Sequence, residues 1–223
     1  MKGKIIYLKL WLMFFSTSAI AQTAALDLSR IENRLDSIES FSAKLSLKLD
    51  ITFITMPEKT ANVYFEKGKP LELESSDFVM LPKKGLDVTM SELFKYPYIV
   101  VDRGYIKRNG RDYREVSVIP QDRKADFAIA TLLLDIKRDR IMQSEISTKN
   151  HGTYKIDMSY DSTDSPLPSF ITIAFEIQDV KLPIQYLSKN TDMAIDKKSA
   201  RKEGIHDGLI YLTLTDYQIN YMD

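Results

Sequence analysis

From Phe41 to Phe53 the chain reads FSAKLSLKLDITF. Its odd positions are apolar (Phe41, Ala43, Leu45, Leu47, Leu49, Ile51, Phe53), and its even positions, Ser42 to Thr52, are polar. A period of two predicts a strand with one apolar and one wet face. At roughly 14 residues it is far longer than the usual ~5–6, and strands of such length belong to curved sheets. Upstream, Leu28, Ile31, Leu35 and Ile38 recur at helical spacing, with Ser29 and Glu32 placed as a capping box. A short amphipathic helix is therefore predicted to lead into the strand.

Downstream the alternation returns repeatedly. After a turn at Met56 to Lys59, a strand runs through Ala61, Val63 and Phe65, breaks at Lys67-Gly68-Lys69-Pro70, and resumes at Leu71 to Ser75. A short strand at Phe78 to Leu81 stops at Pro82 and Gly85, and Ser91 to Tyr96 reads as a helical turn. Tyr98 to Asp102 and Tyr105 to Lys107 read as two strand pieces joined by Arg103-Gly104. Asn109-Gly110 is a strong hairpin signal. Strands follow at Tyr113 to Ile119, Ala125 to Ile136, Ile141 to Thr148, Tyr154 to Tyr160 and Ser169 to Ile177, with charged or glycine turns between them. Lys189 to Gly204 is polar and basic, diluted by Asp192 and Asp196, and reads as a solvated loop. A last long strand covers Gly208 to Tyr221. The pattern is an antiparallel meander with little helix and no internal repeat.

The first residues change the compartment. MKGKIIYLKLWLMFFSTSAIA has a basic start at Lys2, Lys4 and Lys9, an apolar run at Leu10 to Phe15, and a small-residue site at Ala19-Ile20-Ala21. This reads as a secretory signal, residues 1–21. Its apolar run is too short for a membrane span, which needs ~20 residues. Residues 22–223 then form one exported domain. The 223-residue chain has no cysteine, which excludes disulfides, a thiol nucleophile, thiolate metal sites and a lipid anchor at the cleavage point. Its formal charge is zero, and loss of the signal lysines leaves a small negative balance. That argues against a nucleic-acid partner.

Catalytic constellations are absent from the pattern. His151 and His206 both sit in turn composition. Asp161 and Asp164 in DSTDS do not match a calcium-loop spacing, and Glu72 and Glu74 alternate with Leu71 and Leu73 as a solvent face. No metal site, cofactor or enzymatic activity is expected. What stands out is large apolar material, with 9 Met, 10 Phe and 12 Tyr; Met in particular suits variable apolar guests.

The stretch Arg34-Leu35-Asp36-Ser37-Ile38-Glu39-Ser40-Phe41-Ser42-Ala43 resembles the opening of the LolA-like superfamily, the periplasmic lipoprotein carriers and their relatives. Ala61 to Pro70 followed by Leu71-Glu72-Leu73 resembles its next element. Leu134-Asp135, Ile141 to Glu145, Gly152-Thr153-Tyr154 and Leu167 to Ile171 resemble a later hairpin and strand. LolA itself carries arginine before the proline where this chain has Lys69, and a lysine lacks the forked guanidinium donors. The resemblance is therefore to the superfamily and not to a LolA orthologue.

It implies a mainly β (α+β) fold: a curved, incomplete antiparallel barrel, or half-barrel, with a few short helices covering its concave face. It also implies a carrier for acyl chains of lipids or lipoproteins in the periplasm of a Gram-negative bacterium, with an inner-membrane donor and an outer-membrane acceptor. The alternative is a non-catalytic envelope sensory module that binds a protein partner. The candidate cavity residues are Leu45, Leu47, Leu49, Ile51, Val63, Phe65, Leu73, Val116, Val118, Leu132, Ile173 and Phe175, with Lys69 as candidate lid latch.

Overall fold

The computed structural model describes residues 16–75, 93–150, 152–177, 194–196 and 206–222. Helix α1 (Ser16–Asp36) enters β1 (Ile38–Ile51) through the single turn residue Ser37. Then come β2 (Ile54–Thr55), β3 (Lys59–Glu66), β4 (Glu72–Glu74), β5 (Tyr98–Arg108), β6 (Arg111–Pro120) and β7 (Phe127–Asp135). The chain closes with β8 (Arg140–Thr148), β9 (Thr153–Ser159), β10 (Phe170–Ile177), β11 (Ala194–Ile195) and β12 (His206–Tyr221). All twelve strands belong to one antiparallel sheet. Its main path runs β11-β2-β1-β12-β10-β9-β8-β7-β6-β5, with β3 and β4 branching from β1. Among the described residues β5 and β11 end the path and β4 ends the branch, so the curved sheet is a half-barrel and not a closed barrel.

β12 returns beside β1 along almost its whole length, placing the last strand in the centre of the sheet. The register aligns two inward rows across eight strands. One is Leu49–Ile210–Ile173–Ile156–Ser144–Leu132–Val116–Asp102. The next is Ile51–Gly208–Phe175–Tyr154–Ile146–Ala130–Val118–Val100. Helix α1 lays Ala24, Leu28 and Ile31 onto this inner face, all essentially fully buried, and Leu93 from a helical turn at 93–94 adds to the cover.

Several expectations change. The cover is one 21-residue helix plus that turn among the described residues, in place of a few short helices. Ser29 lies inside α1 and caps nothing, because the alanine-rich stretch before it contains no breaker and continues the helix. Ile38 is the first residue of β1, not the last of the helical stripe. Residues 98–108 form one strand with a bulge at Arg103, not two pieces. Within the expected loop at 189–204, Ala194–Ile195 pair with β2; most of the rest lies outside the described residues. The expected strand at Phe78 to Leu81, the first fifteen residues of the signal and His151 also lie outside them. The Asn109-Gly110 hairpin forms as expected, with φ of 50° and 75°, the left-handed pair that a two-residue turn of this hand requires.

Candidate functional site

The inner face of the sheet is the candidate site. Of the candidate cavity residues, Leu45, Leu47, Val63, Val116, Val118, Leu132 and Ile173 are buried in one cluster with Ala24, Leu28 and Ile31 of the helix. Leu49, Leu73 and Phe175 pack against that cluster and stay partly open, while Ile51 is buried at the end of β1. Phe65 is half-buried at the far end of β3, its ring stacked on Phe41 with centroids 5.2 Å apart.

Leu49 and Phe175 come together with two further half-open residues, while Leu73 and Phe65 lie apart on β4 and β3. Leu49 and Ile210 are direct cross-strand partners, and Phe175 lies between Gly208 and Tyr154 on the adjoining strands, its ring centroid 6.1 Å from that of Tyr154. All four apolar side chains are half-buried. Gly208 creates room for this arrangement: a Cβ there would come within 2.6 Å of the Phe175 ring, so the outer end of the ring sits against bare backbone.

Toward the β5–β6 end of the sheet, the helix is tied down by charge. Arg114, only 2% exposed, donates from Nη1 to Asp27 Oδ2 of α1 at 2.5 Å. Its Nη2 and Nε reach Asp102 Oδ2 and Oδ1 of β5 at 2.7 and 3.2 Å. Arg30 carries the chain onward, bonding Asp27 at 2.8 Å and Asp139, in the β7–β8 turn, at 3.1 Å. Signs alternate along Asp102–Arg114–Asp27–Arg30–Asp139, so each buried charge of this chain of five has an opposite neighbour. The Tyr98 hydroxyl donates to Glu32 at 2.7 Å, and Arg34 donates to the carbonyls of Arg138 and Asp164. The guanidinium of Arg114 holds the Asp102 carboxyl below the usual carboxylate range, with burial opposing. Burial, with Glu32 adding to it, pushes the Tyr98 hydroxyl up.

The bulge at Arg103 makes this clamp. It restarts the strand one residue out of phase, with Gly104 at φ 94°, so that Asp102 and Tyr105 both face Arg114. The Tyr105 ring centroid lies 5.2 Å from the guanidinium carbon. The sequence reading missed the clamp, although its signal is present. Asp27 falls within the Ala24–Leu28–Ile31 stripe, and Arg114 and Asp102 each occupy the apolar phase of their strands.

Lys69, the candidate latch, is exposed and pairs with Glu66 at 2.7 Å. With Tyr64, Glu66, Gln218 and Asn220 it borders an open cleft of about 410 Å³ at the β3–β1–β12 end of the sheet. Asp161 accepts from Ser169 at 2.7 Å, and Glu72 and Glu74 are exposed. Among the described residues, no three His, Cys, Asp or Glu side chains are placed to hold a metal, and no helix is long and apolar enough to cross a membrane.

No family model matches the sequence. No curated protein matches it either. Solved structures do match in shape. A DUF1329-family protein from Desulfovibrio piger superposes with a TM-score of 0.54 at 9% identity, covering 90% of this chain and 93% of that one. A LolA-superfamily protein from Nitrosomonas europaea superposes at 0.52 and 9% identity, covering 90% and 94%. The chain has the LolA-like fold that its opening residues resemble; at such identity the likeness is one of fold, not of orthology to LolA.

Proposed function

We propose that the protein is a periplasmic binding or carrier protein that holds acyl chains of lipids or lipid-modified proteins on the inner face of its sheet. The observation that carries this reading is the half-open apolar patch of Leu49, Ile210, Phe175 and Tyr154, which lies in the same two rows as the residues buried beneath α1. A guest enters at that patch and extends by displacing the apolar stripe of the helix. Burial drives binding at ~0.8 kcal/mol per methylene, and no covalent step or cofactor is involved. Leu45, Leu47, Val116, Val118 and Leu132 then serve as the deep floor.

Residues 1–21 act as the export signal. Cleavage after Ala21 leaves every residue of α1 described here as packing on the sheet, from Ala24 onward. Loading from an inner-membrane donor and delivery to an outer-membrane acceptor follow from the same reading. Native mass spectrometry of residues 22–223 purified from a Gram-negative envelope tests it. A bound acylated species, or uptake of added phospholipid or acylated peptide, is expected. A clean apo mass with no uptake overturns the carrier reading in favour of a sensory module that binds a protein partner.

A further inference from the structure

We infer that Lys59 receives the anionic head of the guest, a carboxylate or a phosphate, at the border of the half-open apolar patch. It rests on the carrier reading above and narrows the guest to an acyl chain with an acidic head. Lys59 opens β3 in the inward phase. Side chains alternate across a strand, and burial in β3 alternates with them: Lys59, Ala61 and Val63 are buried, while Thr60, Asn62 and Tyr64 are exposed. Ala61 and Val63 belong to the core cluster. Lys59 thus puts a cation where the pattern calls for an apolar side chain, and only 6% of it is exposed. Its cross-strand partner is Leu47, and the next inward residue of β1 is Leu49, the first member of the patch. Such a diagonal neighbour lies ~7–8 Å away, within reach of a long side chain.

A lysine this buried is ordinarily paired with a carboxylate. Among the described residues the other buried cations, Arg114 and Arg140, each have an aspartate: Arg114 bonds Asp27 and Asp102, and Arg140 Nε stands 3.8 Å from Asp135. Among the same residues the Lys59 ammonium makes no hydrogen bond or ion pair. The nearby carboxylates of the chain face away: Glu58 accepts from Ser46 on the outer face, and Asp50 is exposed in the outer phase of β1. Nor is the ammonium sealed in, because the one fully enclosed side-chain nitrogen or oxygen without a partner among the described residues is Arg140 Nε. The stem of Lys59 is therefore packed and its head meets open space. A cation fixed in this way at the margin of an apolar patch complements an anion that carries an apolar tail. As a point charge, lysine does not require a planar forked partner, so phosphate serves as well as carboxylate. From β3 across β1, β12 and β10 to β9 the sheet spans four strand spacings, about 19 Å, which gives a long acyl chain room between Lys59 and Tyr154.

Calorimetric titration of the purified, delipidated protein with dodecanoate, dodecyl phosphate and dodecanol compares different heads on one chain length. The two anions should bind about tenfold or more tighter than the alcohol, the worth of one charge-assisted hydrogen bond, and the margin should shrink with added salt. Lys59→Met keeps the stem and removes the charge; it should abolish the margin and leave dodecanol binding unchanged. Lys59→Arg should retain the margin, and Lys59→Gln repeats the test of charge if methionine disturbs the packing. Inorganic phosphate alone should not displace dodecyl phosphate; if it does so at comparable concentration, Lys59 serves a free anion and the proposal fails. Equal affinity for the three guests, or a margin that survives in both uncharged variants, overturns the head site and leaves the carrier reading standing. Binding of none of the three overturns the carrier reading and the head site with it.

Discussion

At the scale of single residues, Arg114 and Gly208 are the positions where one change has the largest consequence. Arg114→Ala removes the cation between Asp27 and Asp102, leaving Asp102 without its ion-pair partner and Asp27 with Arg30 alone. Breaking a buried pair in this way costs about 3–5 kcal/mol, which urea denaturation would read as a lower midpoint. The same contact sets an acid limb. The folded-state pKa of Asp102 is depressed below its unfolded value of ~3.9, so its contribution is fully present above about pH 4 and is lost as pH falls through the folded value. Asp102→Asn should therefore lower stability at neutral pH and flatten its fall between neutral and acid pH; an unchanged acid limb would show that Asp102 is not held this way. Gly208→Ala drives a methyl group into the Phe175 ring, an overpacking cost of about 1–3 kcal/mol. Combining it with Phe175→Leu should return part of that loss in a double-mutant cycle.

Among the elements, regular alternation was legible and its interruptions were not. β1, β3, β6 and β9 announce themselves by period two, because one face of each meets the core. The bulges have no comparable signature. In β12, Leu212 and Leu214 face inward, then Asp216 at φ 56° adds a residue opposite β1 and resets the phase. That reset turns Tyr217 inward, where its ring meets Phe41 at 5.9 Å and its hydroxyl donates to the carbonyl of Pro168. Deleting Asp216 removes the extra residue opposite Ala43 and restores an unbroken ladder with Tyr217 and Ile219 still on the inner face. It should therefore change thermal melting by less than about 1 kcal/mol; a loss of about 2 kcal/mol or more would mean that the bend made by the bulge is itself needed to seat Tyr217. The start of α1 was misplaced for a related reason. Ser29 and Glu32 satisfy a capping spacing anywhere in a helix, and only the tertiary bond from Tyr98 to Glu32 reveals what the glutamate does.

Taken as a whole molecule, the sheet is wider than the one long helix among the described residues can cover, and on the proposed reading that mismatch is what admits a guest. The apolar residues of the inner face were readable from the sequence. Which of them meet the helix and which stay half-open was not, because that depends on where Asp27, Arg30 and Glu32 tie α1 across the strands. Those ties lie toward β5, β6 and the β7–β8 turn, while the open patch lies on β1, β12, β10 and β9. A chain that binds there first buries methylenes on the patch and then competes with Leu28 and Ile31 for the floor. Affinity for a series of fluorescent fatty acids should thus rise by about fourfold per methylene over the shorter members, the equivalent of ~0.8 kcal/mol each. It should flatten once further length requires lifting the helix against its ion pairs. Asp27→Asn weakens those pairs and should move the plateau to longer chains while leaving the initial slope unchanged. Affinity independent of chain length would instead mean that the inner face is only a core, and that the molecule works through its surface.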